Sequence, residues 1–211
     1  MRYLVYRIVR CTAATIAGRK PATLMNISNA SGGLLDTWDC HNAGIFSRSE
    51  IDYYELKRTD KNAIVLFFNQ YLLDELLKNE PVKKFLSNEP VKKFLSEYGY
   101  ESNSIEYALS MLRRRYATVG CPPEIGVFLG IPLKDVKGFM GLNSLRHTKC
   151  GMWQIYGDPV LSEKRMNEYR RARNMIRRRL ISGEDPVEII RGKDFGFLNK
   201  PNFIRDDYLR T

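Results

Sequence analysis

Residues 124–157 read EIGVFLGIPLKDVKGFMGLNSLRHTKCGMWQIYG, and their reading decides the fold. Glycines at 126, 130, 138, 141, 151 and 157, with Pro132, punctuate short apolar runs, which specifies a packed unit with tight turns. The run at about 124–129 is expected to be a strand. Pro132 opens a helix with Leu133, Val136 and Phe139 inward, and Gly151–Tyr156 forms a further strand. These glycines fit neither GxGxxG nor a phosphate-binding loop, so no nucleotide cradle and no cofactor site is legible; turn geometry and close packing account for them.

Outward from this stretch, a helix is expected over residues 2–17, with Leu4, Ile8, Cys11 and Thr15 on its buried stripe and Gly18 as its end. Residues 26–50 show no clean period and are expected to be mostly loop. Ile51–Lys57 and Ala63–Phe68 flank a polar Thr59–Asn62 turn, the composition of a hairpin. Its second strand is apolar without alternation, hence central and covered on both faces. A helix near 71–78 leads into a tandem duplication, NEPVKKFLS at 79–87 and again at 88–96. The second copy is expected to bulge outward, because surface insertions cost little. Asn103 with Glu106 forms a capping box for a helix to Tyr116, and a long helix spans Pro159–Ile181 before Gly183. The order of elements predicts an α+β fold: a single domain over 1–183 with a small, mainly antiparallel sheet of about four strands covered by helices. Residues 184–211 form a C-terminal tail packing only locally.

The pattern EIGxFLGxP, followed by DVxGF and CGxWxxYG, together with CTAATIAGRKPATLM at 11–25, which is similar to CAPTLAGxKPxxLF, resembles a bacterial family, domain of unknown function 3793, found mostly in anaerobic Firmicutes. The resemblance leaves room for one copy of the duplicated nonamer. Cys121 and Pro123 depart from the aromatic residue and histidine expected before EIG, which weakens any metal or acid–base role there. The resemblance also carries an association with anaerobic iron or flavodoxin metabolism, hence an alternative reading as a thiol-dependent redox or metal-handling protein using Cys11 and Cys150.

Composition bounds the function. The 211-residue chain is 44% apolar and 27% charged, ordinary values for a globular protein. No apolar run approaches the roughly 20 residues that span a bilayer. The N-terminal segment has no cleavage site for secretion, so no membrane association and a cytoplasmic setting are expected. Cys11, Cys40, Cys121 and Cys150 form neither a disulfide framework nor a metal-ligand spacing, and buried reduced thiols are the expectation. The net charge of +10 and isoelectric point near 9.5 favour anionic partners, nucleic acid or a phosphorylated small molecule. Lys164, Arg170, Arg171, Arg177 and Arg178 share one face of the long helix, so a non-enzymatic anion-binding protein is the leading reading, although charged helix faces usually only solubilise. A second alternative is an enzyme with a cleft around Glu124 and Trp153, lined also by Lys20, Lys134, Asp135 and Tyr156. No catalytic template emerges from these residues.

Overall fold

The computed structural model describes residues 1–78, 91–102 and 104–192. The fold is α+β. Its described residues group into two compact units, Met1–Tyr71 with the chain from Tyr169 onward, and Leu72–Glu168.

The first unit is built on a three-stranded antiparallel sheet in the order β1 (Ala22–Ser28), β3 (Asn62–Asn69), β2 (Ile51–Arg58). The expected hairpin is present, and its apolar strand β3 is central, with Val65, Leu66, Phe67 and Phe68 all buried. Helices α1 (Arg2–Ile16) and α2 (Leu34–Phe46) cover one face. Thr15 of α1 and Thr23 of β1 share a 2.8 Å hydrogen bond. Trp38 of α2 stands edge-on to Phe67, with centroids 5.6 Å apart, while its indole N–H donates to Glu55 Oε1 at 2.8 Å.

Three expectations fail here. The supposed loop at 26–50 is the end of β1 and the whole of α2, whose buried positions Leu34, Leu35, Trp38, Ile45 and Phe46 are helically spaced. The period was hidden because the polar Asn42 occupies the intervening inward position, where its Oδ1 accepts the Tyr53 hydroxyl at 2.9 Å. Cys11 does not face the core. The buried arc of α1 runs through Leu4, Val5, Ile8, Val9 and Thr12, and Cys11 lies about 100° round the helix from Thr12. Thr12 tolerates burial because its hydroxyl donates to Ile8 O at 2.7 Å. Finally, the chain beyond Gly183 does more than pack locally: α9 (Pro186–Arg191) packs on α1 and α2, buries Ile189 and Ile190, and accepts the Ser49 hydroxyl on Ile190 O at 2.7 Å. Residues 193–211 lie outside the described residues.

The second unit holds α4 (Val91–Ser96), α5 (Ile105–Val119), α6 (Ile125–Phe128), α7 (Leu133–Phe139) and a separate two-stranded hairpin, β4 (His147–Cys150) with β5 (Gln154–Tyr156). The helix α3 (Gln70–Leu77) enters this unit and α8 (Val160–Ile181) leaves it. The strands are thus three and two rather than one sheet of four. The expected strand at 124–129 is the helix α6, since four successive buried residues flanked by Pro and Gly do not distinguish a strand from a buried helical turn. In α7, Leu133 and Val136 point inward as expected, but Phe139 in the last turn is exposed. The cap of α5 is Ser104, whose Oγ accepts the Tyr107 N–H at 3.1 Å; the expected Asn103 lies outside the described residues.

The duplication also differs. Its first copy and the start of the second, residues 79–90, lie outside the described residues, whereas the end of the second copy is α4, with Val91, Phe94 and Leu95 in the core. The second copy therefore packs instead of bulging, because Phe94 finds Tyr98 at 5.2 Å between centroids and the Lys137 ammonium 5.8 Å from its ring.

Close approach explains two of the glycines. A Cβ on Gly138 would collide with the Tyr156 ring, and one on Gly126 would lie 2.9 Å from Val136 Cγ2. Gly138 is what lets α7 lie against β5.

Candidate anion-binding groove

On helix α8, Met166, Tyr169, Ala172 and Ile176 are buried. Lys164, Arg170, Arg171, Arg177 and Arg178 are all exposed, and Arg170 and Arg177 also line a groove. A groove of about 620 Å³ runs between α1 and the part of α8 in the first unit, and it is lined by Arg170, Arg173 and Arg177 from α8 and Tyr6 and Arg10 from α1. Spacing explains the selection. Positions 170, 173 and 177 fall within about 60° of one another on a helix, whereas Arg171 and Arg178 are each turned about 100° from the preceding arginine. Ala13, Ile176, Leu180 and Ile181 supply apolar lining, and no acidic residue among the described residues lines the groove. The Arg10 guanidinium lies 5.7 Å from the centre of the Tyr6 ring, which restrains both groups.

Lys20 is near enough to Arg173 to feel its charge. Its ammonium stands 5.8 Å from the Tyr169 ring. Lys20 is partly exposed as a residue, but burial of the ammonium, and secondly the charge of Arg173, lower its pKa to about 8. A second groove, of about 470 Å³, shares Tyr6 and Leu180 with the first and adds Arg2, Tyr3 and Gly183. Glu184 also borders it, with its carboxylate held by Arg179, whose Nε donates at 2.6 Å.

The other sequence-predicted residues resolve differently. Lys134, Asp135, Trp153 and Tyr156 do converge, as a filled polar knot in the second unit. The Asp135 carboxylate, 1% exposed, accepts the Lys134 ammonium at 2.7 Å, the Trp153 indole N–H at 2.8 Å, the Tyr156 backbone N–H at 2.9 Å and the Ser162 hydroxyl at 2.5 Å. Lys134 also donates to Tyr156 O at 2.7 Å, so the knot ties α7 to β5 and α8. A carboxylate accepting four donors is a structural tie with no site left for a substrate proton.

Glu124 is fully buried and engaged elsewhere. It receives Arg115 bidentately, through Nε and, at 3.2 Å, Nη2, and accepts the Tyr100 hydroxyl at 3.3 Å. Burial and the adjacent Glu124 charge push the Tyr100 pKa up. Lys20 belongs to the first unit, Glu124 and the Asp135 knot to the second.

All four cysteines are exposed free thiols, contrary to the expectation of burial. The apolar context of a sequence window does not fix which side of a helix or turn a small residue takes. Cys11 lies in the first unit and Cys150 in the second. Among the described residues, no group of three or more His, Cys, Asp or Glu side chains is arranged to hold a metal ion. No helix among them is long and apolar enough to cross a membrane.

Arg10 and Arg173 were missed by sequence reasoning. Arg173 sits on the shoulder of the apolar stripe, and Arg10 is separated from it by most of the chain, so only the fold, which brings both to one groove, unites them. The legible signal was the arginine at both i+3 and i+7 from Arg170.

No curated protein and no solved structure matches the chain. A family model described as a protein of unknown function, DUF3793, matches residues 8–190, from within α1 to within α9. The span takes in most of both units, and the chain belongs to the DUF3793 family.

Proposed function

We propose that the protein binds phosphate-bearing anions in the groove between α1 and α8. The observation that carries this reading is the convergence of Arg10, Arg170, Arg173 and Arg177 on one groove, with no acidic residue among the described residues of its lining. Guanidinium groups gathered along one lining repel one another, and a bound phosphate relieves that repulsion while accepting several hydrogen bonds from them. The pKa of Lys20 is lowered chiefly by burial, and the charge of Arg173 adds to the shift. A cytoplasmic setting suits four thiols that form no disulfide.

The test is equilibrium binding of inorganic polyphosphate and of a fluorescent oligouridylate over a series of salt concentrations. Replacing Arg10, Arg170, Arg173 and Arg177 by Gln should weaken both. It should also flatten the logarithmic salt slope for the oligonucleotide by about 0.7 for each phosphate that is no longer neutralised. Replacing Lys164, Arg171 and Arg178 should do much less. Equal effects from the two sets would assign binding to diffuse charge, and no binding by the parent protein at low salt would defeat the reading.

A further inference from the structure

We infer that the ligand of this groove is a single-stranded nucleic acid, with its phosphates on the α8 arginines and its bases stacked on Tyr6 and Tyr3. The inference rests on the anion-binding reading and adds the class of ligand. Its starting point is the exposed edge of α1, where Arg2 and Arg10 flank the rings of Tyr3 and Tyr6. Tyr3 is 60% exposed and Tyr6 38%, large values for rings on a helix whose other side is core. Exposed aromatics beside a cationic track are the combination that non-specific single-strand binding uses.

The two grooves meet at Tyr6 and Leu180 and so form one path. From Arg10 to Arg2 the path follows eight residues of helix, about 12 Å, and the arginines at 170, 173 and 177 run for about 10 Å. At a stacked spacing of about 3.4 Å per nucleotide, roughly three nucleotides fit. A compact phosphorylated metabolite would leave most of this length empty, and small-ligand sites usually enclose their ligand. The apolar lining of Ala13, Ile176, Leu180 and Ile181 suits bases better than free phosphate. A duplex hides its base faces within its own stack, and Tyr3 and Tyr6 would then have nothing to stack on.

The experiment compares an oligothymidylate of about ten residues with an abasic strand of the same length and charge, and with a duplex. The parent protein should bind the base-bearing strand several-fold or more tightly than the abasic one, because stacking on an aromatic ring favours binding by roughly five- to a hundred-fold per base. Tyr3→Leu should weaken that preference while leaving polyphosphate binding unchanged, and Tyr6→Leu should weaken it further. Should Tyr6→Leu fail to fold, Tyr3→Leu alone decides, since that ring is mostly exposed. Equal binding of base-bearing and abasic strands, or tighter binding of the duplex, overturns the inference and leaves anion binding standing. No binding of either strand or of polyphosphate sinks the anion reading, and this inference with it.

Discussion

Lys20 shows how burial, with a nearby charge adding to it, sets the cost of a single charged side chain. Its folded pKa, about 8, lies below the ordinary value of 10.5, so the folded state carries a penalty for the charged form. The sign follows by linkage. Below pH 8 the ammonium is charged in both states and the penalty is whole; between pH 8 and 10.5 the unfolded chain binds more protons, and stability rises with pH. Lys20→Met should therefore stabilise the protein at pH 7, by at most ~3 kcal/mol, and the advantage should shrink toward pH 10.5. Urea unfolding of both proteins at pH 7 and pH 10 measures it, and a variant less stable than the parent at pH 7 would show that Lys20 has a stabilising partner. Sequence located Lys20 in a motif, and nothing in a sequence reports the proximity of Arg173, 153 positions away. The same limit applied to Cys11, where the helix was read correctly and its rotation was off by about 100°.

At the scale of elements, sequence was most reliable where a long period or a turn signal existed. Helix α1, the β2–β3 hairpin with β3 in the centre, and α8 stand close to where periodicity placed them. It failed where an element was short or carried a polar residue at a buried position, as in α6 and at Asn42 of α2. The duplication belongs to this scale. Deleting 79–87 and deleting 88–96 leave the same polypeptide, because the two copies are identical. The surviving copy carries the Val, Phe and Leu that α4 buries, so the nine-residue deletion should fold with stability close to that of the parent. A deletion variant that is insoluble, or that melts well below the parent, would show that both copies are needed.

For the molecule as a whole, the excess of ten positive charges is general, but its concentration into a groove is particular. The leading sequence reading placed the binding face on five cations of α8. The fold retains Arg170 and Arg177 for the groove, adds Arg10 and Arg173, and turns Arg171, Arg178 and Lys164 elsewhere on the helix. That redistribution was not legible, because it depends on which helix lies beside α8. The most direct measurement is a nuclear magnetic resonance titration that follows the arginine side-chain Nε–Hε signals as oligouridylate is added at low salt. Arg10, Arg170, Arg173 and Arg177 should shift first and furthest, with Arg171 and Arg178 nearly still. Larger shifts at Arg171 and Arg178, or a uniform drift of all arginines, would contradict binding in the groove.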